Sequence, residues 1–296
     1  PMMAAVSPDG RYGAIGDIGG TVHLWDIAQG QWLVSNEVET PVTALAFSPQ
    51  GQHLIVCQDH KVQVWQMPTG DRWRTWGEHY PLASALGVTA TPAGALTPQL
   101  LSGHPDRTLR YWQQGPVSTW RPTARLSVPG QGLLRTVVTG AQQRFWVVGD
   151  EQALYLWEHA TQAWCPRNLS LGHPPTALVL DPTETWLACG DSEGCLSLWH
   201  LPTQRREWIE PAHDRPISAL SFSPDGTVIA CGSHDRTISG WDLQRQEQWR
   251  LEGHHDRPTH LCFDQTQRLW SGGRDGTVRC WNVATPTPVS CWEIPD

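Results

Sequence analysis

Apolar positions in this 296-residue chain alternate with polar ones in short runs, without the period of a helix. The pattern is clearest between His213 and Trp249. Ile217 to Phe222 (ISALSF) alternates, Ser223-Pro224-Asp225-Gly226 supplies turn chemistry, and Val228 to Gly232 (VIACG) resumes the strand character. A tight turn at Ser233 to Arg236 leads into Thr237 to Trp241 (TISGW), and Gln246 to Leu251 (QEQWRL) completes the unit. Four alternating runs joined by close turns predict an antiparallel meander.

The same unit returns along the whole chain. Trp25, Trp65, Trp112, Trp157, Trp199, Trp241 and Trp281 each close a third run, with successive gaps of 40, 47, 45, 42, 42 and 40 residues. A period of that size marks a supersecondary unit that buries its apolar faces only against its neighbours. The expectation is therefore one all-β domain over residues 1–296, built from seven four-stranded units. A Pro-x-Gly turn recurs at Pro8, Pro49 and Pro92, and polar stretches around Gln143, Thr183 and Gln265 take its place in three other units. A four-stranded sheet with two apolar faces is not stable alone, but packing seven radially covers both faces.

An Asp six residues before the closing Trp begins the third run at Asp59 (DHKVQVW), Asp106 (DRTLRYW), Asp235 (DRTISGW) and Asp275 (DGTVRCW). Glu151 and Glu193 hold that offset in two further units, and Gly19 in the first. With these residues the chain resembles the WD-repeat (WD40) β-propeller family over essentially its full length. The resemblance implies a seven-bladed β-propeller with four-stranded antiparallel blades. It also implies a buried network joining a His, a Ser or Thr, the turn Asp and the third-strand Trp. By position the full set is His79, Ser102, Asp106 and Trp112 in the third unit, and His254, Ser271, Asp275 and Trp281 in the seventh. The sixth has His213, Asp235 and Trp241, with Cys231 in place of the hydroxyl. The fifth has His173 and Trp199 with Cys189 and Glu193, and units one, two and four lack the set. Which of His254 and His255 takes the buried place stays open.

Composition narrows the class of function. A formal net charge of −8 argues against a nucleic-acid footprint, which needs clustered Lys and Arg. Eight cysteines show no Cys-x-x-Cys spacing, so the expectation is buried free thiols in a reducing, cytoplasmic compartment, with no metal and no cofactor. No apolar run has the length of a membrane span. His-Asp pairs such as His254 and Asp275 would suit a base and its orienting carboxylate, yet the repeat accounts for them and exposes no activated nucleophile, so no catalytic residue is assigned.

A second Trp series (Trp32, Trp73, Trp120, Trp164, Trp208, Trp249 and Trp292) falls on each predicted outer strand, where rings cap the gaps between units. The turns at one end carry His60, Arg107, His234, Arg236 and Arg274, and the loops into the first strands carry Arg215 and Arg257. Arginine pairs bidentately with carboxylate and phosphate, so this face would take an acidic or phosphorylated peptide. What the resemblance implies is a non-enzymatic scaffold for protein partners, a monomeric propeller within a larger assembly. Two other readings stay open: a regulatory C-terminal module of a larger signalling protein, which the start of the chain within its first strand favours, and a propeller-borne enzyme, which would need carboxylates or metal ligands converging on one face. With each unit drawn from one continuous stretch, units one and seven are expected to meet by packing alone.

Overall fold

The computed structural model describes residues 3–293 except 8, 17–18, 28, 39, 49–50, 59–61, 77–84, 90–98, 104–105, 115–119, 140–144, 152, 159 and 166–168. Among the described residues all regular structure is strand, arranged as seven antiparallel sheets in chain order. Sheet one holds Met3–Val6, Tyr12–Gly16, Thr21–Asp26 and Gln31–Glu37; sheet two holds Val42–Phe47, His53–Gln58, Val62–Gln66 and Asp71–Trp76. Sheet three runs from Ala85–Thr89 to Trp120–Ser127, sheet four begins at Thr136–Thr139, and sheet five runs from Pro175–Leu180 to Arg205–Pro211. Sheet six contains Ile217–Phe222, Val228–Ser233, Ile238–Asp242 and Glu247–Leu251, and sheet seven runs from Pro258–Phe263 to Thr287–Glu293. Within each sheet the strands pair in sequence order, so the meander read from the alternation is the observed topology.

Sheet four departs from the four-strand expectation. Its outer edge consists of two short strands, Ala163–Trp164 and Leu169–Ser170, both pairing with Ala153–Glu158.

The first strand of each sheet lies beside the first strand of the next, and that of sheet seven lies beside that of sheet one. Apolar clusters sit between neighbouring sheets. One joins Leu24 and Val22 of sheet one to Leu54 and Trp65 of sheet two, and another joins Ile229 and Trp241 of sheet six to Leu196 and Leu198 of sheet five. Sheets one and seven share a cluster of Ile15, Trp25, Trp270, Val278 and Cys280. Trp65 and Trp281 are fully buried. Burying an indole removes about 150–250 Å² from water, so at ~25 cal/mol per Å² each contributes roughly 4–6 kcal/mol before ordering entropy is subtracted.

Antiparallel pairing puts the turns between second and third strands, and the loops that enter first strands, at one end of every sheet. This end is called the turn face below. There the third strand's approach turn adopts positive φ at Gly20 (87°), Arg107 (58°), Gly194 (86°), Arg236 (75°) and Gly276 (76°). Glycine is obligatory at two of these places. A Cβ on Gly20 would stand 2.3 Å from the Val38 carbonyl oxygen, and one on Gly194 would stand 2.1 Å from that of His213. At Gly276 the space is open.

Candidate functional site

Sheet seven shows how the fold disposes its polar groups. His254 Nδ1 lies 2.9 Å from Asp275 Oδ2, His254 Nε2 lies 2.7 Å from Ser271 Oγ, and Trp281 Nε1 donates to the same Ser271 Oγ at 2.7 Å. A neutral imidazole satisfies every member: Nδ1–H donates to the carboxylate, and Nε2 accepts from the serine hydroxyl, which accepts from the indole. Burial pushes the Asp275 carboxyl up, but hydrogen bonds from His254, the His255 N–H and Thr277 outweigh it and hold it well below the ordinary carboxylate range. His254 is the buried histidine and His255 is exposed. The Ser-His-Asp order has the outline of a nucleophile, base and orienting acid, yet Ser271 is buried and its oxygen is engaged by the indole. The constellation holds a sheet together and offers no attacking group.

In sheet six, His213 Nδ1 lies 2.8 Å from Asp235 Oδ2, and Nε2 faces the Cys231 carbonyl oxygen at 3.2 Å. Cys231 occupies the place of Ser271, and the buried Trp241 Nε1 has no hydrogen-bond partner among the described residues. In sheet three, His79 lies outside the described residues, as do the side chains of Ser102 and Trp112. Asp106 is exposed, a correction to the expectation of a buried network carboxylate. Its oxygens accept from Thr108, Arg110 (3.2 Å) and Arg125 (2.9 Å). His173 is exposed as well and takes no buried place in sheet five.

Three further polar arrangements escaped the reading of the repeat. In sheet two, which lacks the His-Ser-Asp set, Trp65 Nε1 donates to Gln63 Oε1, Gln63 Nε2 to Gln58 Oε1, and Gln58 Nε2 to Thr40, so a glutamine relay satisfies the indole instead. In sheet four the buried carboxylate is Asp150, one residue before Glu151, which is exposed and paired with Arg135. In sheet five it is Asp191, accepting from the Glu193 and Cys195 N–H groups. The shared signal is a polar residue two places before the Trp, on the same side of the strand: Gln63, and Tyr155, whose hydroxyl donates to Asp150 at 3.1 Å.

The predicted cations divide. Arg107 is not a free surface group. It reaches across to sheet four, where Nη1 lies 3.3 Å from Asp150 Oδ2 and Nη2 donates to the Pro129 carbonyl. His60 lies outside the described residues. Arg215, His234, Arg236 and Arg274 are exposed, and Arg257 is half-buried. Backbone bonds fix their supports: the His234 N–H donates to the Pro216 oxygen and the Arg274 N–H to the Arg257 oxygen, each at 3.0 Å. Arg257 Nη1 donates to His234 Nε2 at 2.9 Å, bridging the turn of sheet six to the loop entering sheet seven. Burial and the Arg257 charge lower the His234 pKa, which keeps the ring neutral to accept that bond. The strip also carries the exposed carboxylates Asp214 and Asp256, while Asp235 and Asp275 are engaged by His213 and His254. Glu252, in the loop entering sheet seven, is exposed as well, so four guanidiniums share this surface with three exposed carboxylates.

Among the described residues no group of three His, Cys, Asp or Glu side chains is placed to hold a metal. All eight cysteines are free thiols, four of them buried, and burial pushes Cys189 and Cys262 up to about 12. No helix among the described residues is long and apolar enough to cross a membrane.

Residues 30–66, 164–200, 205–242 and 245–282 match the sequence profile of the WD domain, G-beta repeat. The small ribosomal subunit protein RACK1z of Arabidopsis thaliana is 41% identical over 125 residues, 38% of this chain and 38% of its own length. The small ribosomal subunit protein RACK1 of Schizosaccharomyces pombe is 28% identical over 36% of each chain. The periodic tryptophan protein 2 homolog of Neurospora crassa is 24% identical over 67% of this chain, which is 25% of the relative's length. The matches thus span about a quarter to two-fifths of the length of these relatives.

Proposed function

The chain belongs to the WD40 family, and from that premise we propose that it is a non-enzymatic protein-binding scaffold whose seven sheets form one closed propeller domain over residues 1–296. Support for closure comes from the apolar cluster shared by sheets one and seven. The binding surface is the turn face of sheets six and seven, and its occupant is an acidic or phosphorylated peptide held by Arg215, Arg236, Arg257 and Arg274. One observation carries this reading. These arginines sit on turns locked by backbone hydrogen bonds, with an excess of cation over free carboxylate, on a protein whose formal net charge is −8. Arg236 holds its guanidinium there at a φ of 75°, a conformation that costs a non-glycine residue about 1–2 kcal/mol. The names of the RACK1 relatives place those proteins in the small ribosomal subunit, and the proposal for this chain is likewise a cytoplasmic role within a larger assembly.

The test is capture of phosphoserine, acidic and neutral peptides from an immobilised library by wild type and by the double charge reversal R236E/R274E. The expected outcome is loss of phosphorylated or acidic peptides with an unchanged melting temperature, because exposed turn charges contribute little to folding. Equal capture by both proteins would move the site elsewhere. A second reading, a propeller carried as a module of a longer protein, is supported by the quarter of the Neurospora relative that this chain matches.

A further inference from the structure

We propose that a cleft between sheets five and six, at the end opposite the arginine strip, is a second binding site that takes a cationic side chain, arginine or lysine, of a partner. The cleft measures about 680 Å³, within the range of sites that enclose a small organic group. Its apolar wall consists of Trp186, Leu198, Trp208 and Trp241. Trp208 and Trp241 meet edge to face with centroids 5.7 Å apart, and both Trp186 and Trp208 remain half-exposed. The opposite wall is the turn at Asp225 to Thr227 and, from the next turn, Asp242 to Gln244 with Gln246 and Gln248.

Both carboxylates are set in place by their own turns. Asp225 Oδ1 accepts from Ser223 Oγ, the Thr227 N–H and Thr227 Oγ1, and Asp242 Oδ1 accepts from the Gln244 and Arg245 N–H groups. No hydrogen bond reaches Asp225 Oδ2 among the described residues, and Asp242 Oδ2 has only Arg245 Nε at 3.8 Å. The Ser223 bond keeps the Asp225 carboxyl below the usual range against the upward push of burial, so it stays ionised. None of the described lining residues is positively charged. Indole faces attract a cation through their quadrupole, and two fixed anions beside them select for charge. A neutral sugar would use the rings and amides but gains nothing from the net negative charge.

The experiment titrates the full chain with acetyl-Gly-Gly-Arg-Gly-Gly-amide, its lysine counterpart and its citrulline counterpart, following indole N–H resonances by NMR. Arginine or lysine peptide should shift the Trp208 and Trp186 signals with saturation, and citrulline should bind at least tenfold more weakly. The double variant D225N/D242N keeps the acceptor oxygens of both turns and should lose affinity at least tenfold with its melting temperature retained. W208A provides a second, independent removal of the wall. Equal binding of citrulline, saturation by a neutral oligosaccharide instead, or affinity unaffected by both variants would each overturn the proposal. So would the absence of any shift at millimolar peptide.

Discussion

Trp281 donates its indole N–H to the Ser271 hydroxyl at 2.7 Å. The corresponding indole in sheet six, Trp241, is buried as well, and Cys231 stands in the place of that hydroxyl. One atom separates a closed polar circuit from an orphaned donor, and a buried donor without a partner costs about 1–3 kcal/mol.

Cys231→Ser should therefore stabilise the protein. The new hydroxyl stands where it can accept from Trp241, as Ser271 does from Trp281, while His213 keeps its bond to the backbone carbonyl of residue 231. A gain of about 1 kcal/mol is expected, which in a chain of this size raises the melting temperature by about 2 °C. Differential scanning calorimetry of the variant decides it; a lower melting temperature would show that the thiol packs better than the circuit bonds.

The two aspartates at the same motif offset should behave differently. Asp275→Ala strips a buried carboxylate from His254, the His255 N–H and Thr277, and Ser271→Ala orphans both an indole and an imidazole. Each should cost roughly 2–4 kcal/mol. Asp106→Ala removes an exposed carboxylate paired with two arginines, for which about 0–1 kcal/mol is expected. Urea unfolding of the three variants tests the ranking, and equal losses for Asp106 and Asp275 would refute it.

Acid should erase the Asp275 contribution. The folded carboxyl titrates below its unfolded value of about 3.9. The stabilisation is thus fully present above that pH and is lost as pH falls through the folded value. Asp275→Asn cannot ionise, so its deficit relative to wild type, large at pH 7, should shrink steadily below about pH 4. Chemical unfolding at both extremes measures the difference, and a deficit that stays constant down to the lowest pH at which wild type folds would contradict the linkage.

Strands were legible in the sequence because the alternation of ISALSF and its turn residues report a local geometry, and sheet six follows them within a residue or two. Polar partners were not. Asp106 and Asp275 share an offset, and Arg110 and Arg279 share another, yet Arg110 reaches its aspartate while Arg279 donates to Thr277 Oγ1. Which donor a carboxylate meets depends on which side chains of its own unit fold over the turn: Arg110 and Arg125 at Asp106, His254 at Asp275. Arg107 shows the same limit. Its place in the turn suggested an exposed cation, and only the adjacent sheet, bringing Asp150 within 3.3 Å, makes it a bridge. Gln63 was legible in principle, since a polar residue two places before a buried Trp must find a partner inside.

The turn position shared by Arg236 and Gly276 allows the arginine strip to be varied in both directions. Arg236→Gly removes a guanidinium and relieves a backbone held at 75°. The relief of about 1–2 kcal/mol is partly offset by the entropy of a new glycine, about 0.4–1 kcal/mol, so stability should stay level or rise slightly while acidic peptide is lost. Gly276→Arg makes the opposite change. No atom lies within 4 Å of a Cβ built there, so the side chain fits at a strain of about 1–2 kcal/mol and extends the strip toward Arg274. Binding of the same phosphopeptide should tighten in this variant and weaken in Arg236→Gly, with melting temperatures moving the other way. The two readouts must separate, because a scaffold surface is set by its charges and the fold by its backbone. If affinity follows the melting temperature instead, these turns act through stability and the cationic strip is not where the partner sits.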